Sequence, residues 1–463
     1  MKSKYKKATN IFGKMSGKCS AIMVVWLVAG SFAILHICLL ISHNVSPSGG
    51  SNGSVQVPHI PRSHYRQLEE VEEENIQIPP PRKRSARAVK RKPRGPTNII
   101  DEFLDENSQL RDVFFPRTAV DPTKSSGNDS LHYYPGKIWL DTDGNPIQAH
   151  GGGIMYDEKS KIYYWYGEYK GGPTYRPHHK AVARVDVIGV GCYSSKDLWE
   201  WKNEGLVLQA EQSDETHDLY KSNVLERPKV IHNDQTGKYV MWMHIDDANY
   251  TKASVGVAIS DHPTGPFKYL GSQRPHGRES RDMTIFKDDD GTAYLVYSSE
   301  MNTELHVGAL TADYLNLTNV MARIFVDQRR EAPSVFKHQG IYYMITSACT
   351  GWSPNEAWAH AAESMMGPWE MLGNPCVGGS DIFRTTTFFS QSAFVLPLPG
   401  YPGFFIFMAD RWNPAELGDS RYVWLPLIVG GPADKPLDYN FGFPVWSRVG
   451  IYWHKKWRLP SSQ

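Results

Sequence analysis

Three carboxylates and one amide recur in this chain at one place in a repeat, just ahead of a short apolar strand. Glu226 stands there in LERPKV, Asp282 in SRDMTIF, Glu331 in REAPSVF and Gln391 in SQSAFV. The first repeat holds His150 there, followed by Gly151, Gly152 and Gly153. One polar residue at a strand end is ordinary solvation. Three acids at the same phase exceed what solubility asks for, and they converge if the strands run to a common axis. Paired carboxylates in a cleft are the equipment of glycoside hydrolysis: one protonates the leaving oxygen while another group handles water. No zinc-type Cys/His spacing, phosphate-binding loop or nucleophile elbow competes with them, so no metal and no cofactor is expected. His150 has two further readings, a structural residue on the axis or a ligand for a central cation.

The elements that must position these groups read as hairpins. GIMYDEKSKIYYWYGEY, KVIHNDQTGKYVMWMHI, MTIFKDDDGTAYLVYSS, SVFKHQGIYYMITS and AFVLPLPGYPGFFIFMAD each place β-favouring runs around a polar or Pro/Gly turn. Anchored on Ile154, Val230, Ile285, Val335 and Phe394, they repeat at intervals of 76, 55, 50 and 59 residues. A weaker repeat lies between them, in GVGCYSSKDLWEWKNEGLVL, SVGVAISDHPTGPFKYLG, LHVGALTADYLNLT and AWAHAAESMMGPWEMLG. Five units of four strands predict an all-β, five-bladed β-propeller. A β-sandwich is the alternative, which fivefold repetition argues against. The 14 Trp, 24 Tyr and 18 Phe suit pleated strands and the stacking of rings on a flat ligand.

The first third of the chain is different. Lys2, Lys4, Lys6, Lys7, Lys14 and Lys18 precede an uncharged run from Ala21 to Ser42. Its 22 residues match the ~20 that cross a ~30 Å hydrocarbon core, and no good cleavage site follows. The lysines predict a cytosolic N-terminus and hence a single-pass type II membrane protein. The expected organisation is a cytosolic tail over 1–20, a transmembrane signal anchor over 21–42, a disordered lumenal stem over 43–130 and the catalytic propeller over 131–463. The stem reading rests on a Ser/Gly tract, an acidic cluster, a triple proline and the basic block RKRSARAVKRKPR. On the lumenal side that block is a solvated linker. With a net charge of only +1, no nucleic-acid partner is expected. Asn44, Asn52, Asn128 and Asn316 head glycosylation sequons, and the short span favours the Golgi membrane. Asn249 also heads a sequon, but a glycan beside Tyr250 would crowd the pocket mouth, so it is expected to be unmodified.

QAHGGGI, YYWYGEYK, ERPKV, SRDMTIFKDDDG, EAPSVF, TGWSPN and SQSAFV together resemble glycoside hydrolase family 43, and within it the exo-β-1,3-galactanases. The resemblance runs from about Leu131 to the C-terminus. With the anchor, the chain is similar to plant Golgi β-1,3-galactosidases that trim arabinogalactan proteins. It implies an inverting exo-β-1,3-galactosidase acting on type II arabinogalactan. The alternatives are another glycosidase of the family, such as an arabinofuranosidase or xylosidase, and a non-catalytic glycan-binding propeller. By resemblance Glu331 is the general acid, and Asp282 the carboxylate that keeps it protonated and oriented. The family's usual base is an aspartate at the start of the first blade, where this chain has only His150 and three glycines. Gln391 matches a glutamine implicated in holding the water, and Glu226 a glutamate that contacts galactose. An amide orients water or acts through its imidic tautomer. Glu226 is the conventional rival as base, and Glu168 a weaker one.

Tyr250, Asn302, Thr350, Trp352, Asn355 and Glu168 are candidates for lining the sugar pocket, each with a packing or loop-capping alternative. Of the cysteines past the span, Cys349 and Cys376 are close enough in sequence for a local bridge. Buried free thiols at Cys192, Cys349 and Cys376 are the alternative.

Overall fold

A computed structural model describes residues 98–124, 131–175, 183–430 and 448–460. Five antiparallel sheets stand around one axis, each a meander running outward. Blade one comprises His150–Asp157, Ile162–Glu168, Gly189–Ser195 and Lys202–Gln209. Blade two comprises Val224–His232, Tyr239–Asp246, Ser254–Ser260 and Lys268–Gln273. Blade three is Met283–Lys287, Ala293–Ser299, Glu304–Leu310 and Leu317–Ile324. Blade four is Arg330–His338, Ile341–Ala348, Trp358–Ala362 and Glu370–Gly373. Blade five has Gln391–Pro397, Phe404–Arg411, Arg421–Val429 and Val449–Tyr452, and gains a fifth strand, Cys376–Val377, paired parallel to the last. Inner strands touch their neighbours around the ring, and blade five meets blade one.

The sequence explains the blades locally. In blade four Gln339 and Gly340 both have positive φ (49° and 82°), which makes the two-residue turn that matches strand twist. His338 then pairs with Ile341 across it. In blade two the second strand is buried along its whole length, because blades pack against one another on both faces. Its Val240, Met241, Trp242 and Met243 are completely enclosed.

The structure corrects the stem at its C-terminal end. Residues 98–124 were expected to be disordered, yet Ile99–Leu104 and Arg111–Phe114 are short helices. Asn98 caps the first, its side chain accepting from the Ile100 and Asp101 amides at 2.9 Å. Phe103, Phe114 and Phe115 are buried in the core shared by blades four and five. Burying such a ring contributes roughly 1.5–3 kcal/mol, which a polar linker cannot match. The span Ala21–Ser42, the stem up to residue 97 and the sequons at Asn44, Asn52 and Asn128 lie outside the described residues. No helix among the described residues is long and apolar enough to cross a membrane. Asn316 and Asn249 are both exposed.

The Cys349–Cys376 bridge does not form. All three cysteines are free thiols, Cys192 and Cys376 buried and Cys349 half-buried. Cys376 packs in the core between blades, whereas Cys349 directly follows the blade-four strand Ile341–Ala348.

Candidate active site

Four of the five inner strands share a device that aims their first residues inward. Pairing with the second strand slips between His150 and Gly153, Glu226 and Lys229, Glu331 and Ser334, and Ser392 and Phe394. These are β-bulges, which bend the strand and redirect a side chain. Gly151, Arg227 and Ala332, each directly after the axial residue, take φ of 59°, 56° and 51°. Left-handed backbone at Arg227 and Ala332 is strain held at a functional place. Asp282 lies just outside its strand, its carbonyl accepting from the Ser298 amide at 2.9 Å.

Four of these groups meet. Arg227 grips Asp282 with two bonds, Nε to Oδ1 at 3.1 Å and Nη2 to Oδ2 at 2.9 Å. Its Nη2 also donates to Oε1 of Gln391 at 2.7 Å, and its Nη1 to the Ser392 carbonyl at 2.7 Å. Gln391 Nε2 donates to Oε1 of Glu331 at 3.1 Å and to the Ser347 hydroxyl at 3.0 Å. Trp412 Nε1 donates to Gln391 Oε1 at 2.9 Å. Asn302 supplies the other oxygen of Glu331 at 3.2 Å. Because Arg227 and Trp412 can only donate, Oε1 of Gln391 must be the acceptor. An imidic tautomer would put a proton on that oxygen, against two donors.

Glu226 sits in a separate arrangement. Its Oε1 accepts from the Tyr250 hydroxyl at 2.9 Å, and its Oε2 pairs with His244 Nδ1 at 3.2 Å. His244 Nε2 pairs with Asp246 at 3.0 Å. Glu168 is buried, bonded to the Arg227 amide at 3.0 Å and paired with Lys170 at 2.5 Å.

The electrostatics divide the carboxylates by task. Burial, then the charge of Asp282, pushes Glu331 up to about 8 against the pull of Arg227. Burial would also raise Glu226, but the His244 bond and charge, Lys170 and the Tyr250 hydroxyl outweigh it and hold it down to about 2. Burial works against the His244 cation, yet Asp246 and Glu226 lift it to about 9. Glu331 is thus a neutral acid at pH 7, and Glu226 an anion paired with imidazolium. Burial raises Glu168, with Lys170 pulling the other way.

Two clefts flank this network. One of about 280 Å³ is lined by Lys170, Glu226, Tyr250 and Trp352 among others. The other, about 240 Å³, is lined by Gln391, Trp352, Asn355, Trp412 and Phe103. Trp352 stands between them, edge-on to Trp412 at 5.3 Å, with Nε1 donating to the Ala183 carbonyl at 3.0 Å. Thr350 and Asn355 hold their own loop together. The Asn355 side chain bonds both backbone groups of Ala348 at 2.8 Å, and its Nδ2 donates to the Thr350 hydroxyl at 2.6 Å.

Residues 145–379 match the family described as Glycosyl hydrolases family 43. The chain belongs to that family. It is therefore a glycoside hydrolase. Among solved family 43 proteins it is similar to a β-1,3-galactosidase at 35% identity, TM-score 0.62, over 71% of this chain and 63% of that one. The chain thus spans just under two thirds of that relative's length. A second β-1,3-galactosidase, solved with galactodeoxynojirimycin, is 39% identical over 71% of this chain and all of that one, TM-score 0.61. The exo-β-1,3-galactanase of Phanerochaete chrysosporium, solved with β-1,3-galactotriose, is 37% identical over 72% of this chain and 69% of that one, TM-score 0.59. These neighbours place the chain with the exo-β-1,3-galactanases of family 43.

Two of the three glycines now have a physical reason. A Cβ at Gly151 would lie 2.2 Å from Oε1 of Glu168, so that carboxylate fills the space a first-blade aspartate side chain would enter. A Cβ at Gly152 would lie 1.7 Å from the Tyr166 carbonyl oxygen. His150 is a structural axis residue, its Nδ1 on Asp410 at 2.9 Å and its ring stacked on Tyr422 at 4.8 Å.

Two groups of the described residues have metal-ligand spacing: Glu226 with His244 and Asp282, and Glu300 with Glu304 and His306. Neither donor set suits a cation. Both His244 nitrogens face carboxylates, Arg227 covers Asp282, and Arg323 grips Glu304 with three bonds.

Sequence reasoning passed over Arg227, His244, Ser347, Asp410 and Trp412. Arg227 had a signal: acids converging on an axis need a buried cation, and it directly follows Glu226. The others stand on or just past second strands, and three of them shared a repeat phase that went unread: His244, Ser347 and Asp410 pair directly with Glu226, Glu331 and Gln391.

Proposed function

We propose that this family 43 enzyme is an inverting exo-β-1,3-galactosidase that removes terminal β-1,3-linked galactose from type II arabinogalactan, as carried by arabinogalactan proteins. The observation that carries the reading is Glu331, held neutral near pH 7 beside the Arg227-bound carboxylate of Asp282. Glu331 donates its proton to the glycosidic oxygen. Asp282 keeps that proton in place beforehand by like-charge repulsion, and Arg227 fixes the Asp282 carboxylate with two bonds. Glu226, with Tyr250, grips the hydroxyls of the terminal galactose as an anionic acceptor. Its strong pairing with His244 makes it a poor base.

Gln391 holds the attacking water; the proton that the water loses on attack passes to solvent, from which Glu331 is reprotonated before the next turnover. An inverting pair leaves a gap of roughly 6.5–9.5 Å for sugar and water. Glu331 and Gln391 stand in direct contact at 3.1 Å, so the incoming galactosyl unit breaks that bond and frees an amide hydrogen. The similarity to solved exo-β-1,3-galactanases supports the substrate class. The Ala21–Ser42 run and the lysines before it support a Golgi type II anchor, with the propeller in the lumen.

The test compares monosaccharide release from β-1,3-galactan with cleavage of aryl arabinofuranoside and aryl xyloside. Galactose from galactan, with the aryl pentosides poorly cut, is expected. Preferential cleavage of a pentoside, or no release from any of the three, refutes the proposal.

A further inference from the structure

The segment ahead of the propeller packs on the loop that leads into Gln391. Phe103 stacks on Phe389 with centroids 5.4 Å apart and planes at 30°. Phe114 packs on the same ring at 4.9 Å. Arg411, buried at the end of a blade-five strand, gathers three carbonyls from the two sides. It donates to Phe114 at 2.8 Å, Phe388 at 2.9 Å and Phe389 at 3.2 Å. Arg111 donates to Asn413, two residues further along.

The loop held in this way is strained. Thr387, Phe388 and Phe389 are three consecutive left-handed residues, with φ of 51°, 59° and 56° and no glycine among them. Such backbone persists only where its surroundings over-determine it. Ser390 follows, and Gln391 opens the inner strand. The segment also braces the donor on the other side of the amide, because Trp412 lies between Arg411 and Asn413 and bonds Gln391 Oε1 at 2.9 Å. Phe103 itself lines the cleft with Gln391, Trp352 and Trp412.

We propose that Asn98–Phe115 is a strap that sets the position of Gln391, with Phe103 a positioning residue for the water-holding amide. The inference rests on the reading of Gln391 given above. The strap closes the Thr387–Phe389 loop from outside, and Arg411 locks the two together. Galactose itself is gripped from blade two by Glu226 and Tyr250, which the strap does not touch. Loosening it therefore harms water placement and leaves the grip on galactose intact.

Full-length Phe103→Ala, Phe103→Leu and Gln391→Ala variants test this, with kcat on β-1,3-galactan, galactose Kd and Tm measured for each. A misplacement of about 1 Å costs up to ~10²-fold, so Phe103→Ala is expected to lose at least about tenfold in kcat with galactose Kd within about twofold of the parent. Phe103→Leu keeps most of the volume without the flat ring and is expected to fall between, about threefold down. It decides the matter if Phe103→Ala does not fold. Parental kcat in both Phe103 variants, or kcat and galactose affinity falling in proportion, overturns the proposal. An active Gln391→Ala refutes the reading of Gln391 itself. An inactive Gln391→Ala beside unchanged Phe103 variants refutes the strap alone.

Discussion

At the scale of single residues, the site is a problem in proton placement. Glu331 owes its neutrality to burial and to Asp282, and its basic limb follows with a definite sign. In the proposed role its acid form donates the proton, so kcat is expected to be full below that value and to fall as pH rises through about 8. Glu331→Gln is expected to fold normally, lose ~10²–10⁴-fold in kcat on galactan and lose that limb. Near-parental turnover of the variant would remove Glu331 from its role. The water side is tested separately. Gln391→Ala is expected to lose turnover while still binding galactose, with partial rescue by azide filling the vacated space. Glu226→Gln is expected to weaken galactose binding along with turnover. Azide rescue confined to Glu226→Gln, with Gln391→Ala still active, would transfer the base to Glu226. The four axial groups were legible because their phase in the repeat is a sequence property. Arg227 was not, because what selects it is charge balance across blades; His244 and Trp412 were not, because they answer a carboxylate and an amide across their own blades, a pairing that shows only once the strands are in register. Glu168 was noticed, but its closeness to Gly151 joins two strands and has no sequence signature.

At the scale of elements, the bulged inner strand is the unit that makes the site. Hairpins and their turns were readable from β-favouring runs around polar or Pro/Gly turns, and each expected hairpin forms the first two strands of a blade. The bulges were not readable, because Arg227 and Ala332 adopt left-handed backbone without a glycine to advertise it. Only the first blade advertises its bulge, through Gly151 to Gly153. Gly152→Ala places a methyl against the Tyr166 carbonyl and is expected to cost ~1–3 kcal/mol, read as a lower Tm. An unchanged Tm would show that blade one is not closed as described. The strap was hidden by composition. Its three buried phenylalanines lie in a stretch otherwise polar enough to pass for linker, and only the partner rings on blade five give them a purpose.

At the scale of the whole molecule, a closed ring of five sheets brings residues from Glu226 to Gln391 to one axis, and no shorter piece of the chain holds them all. The proposed anchor bears on where that ring works. The proposed anchor, an uncharged run preceded by six lysines, predicts a lumenal propeller, so on intact microsomes a C-terminal tag is expected to resist protease until detergent is added. Digestion of the tag without detergent would overturn both topology and compartment. The central claim is that Glu331 and a Gln391-held water act from opposite sides of a terminal β-linked galactose. Proton NMR of galactose freshly released from β-1,3-galactan reads this directly. The account predicts that the α anomer appears first and the β anomer only by later mutarotation; the β anomer appearing first, or no free galactose at all, would contradict it.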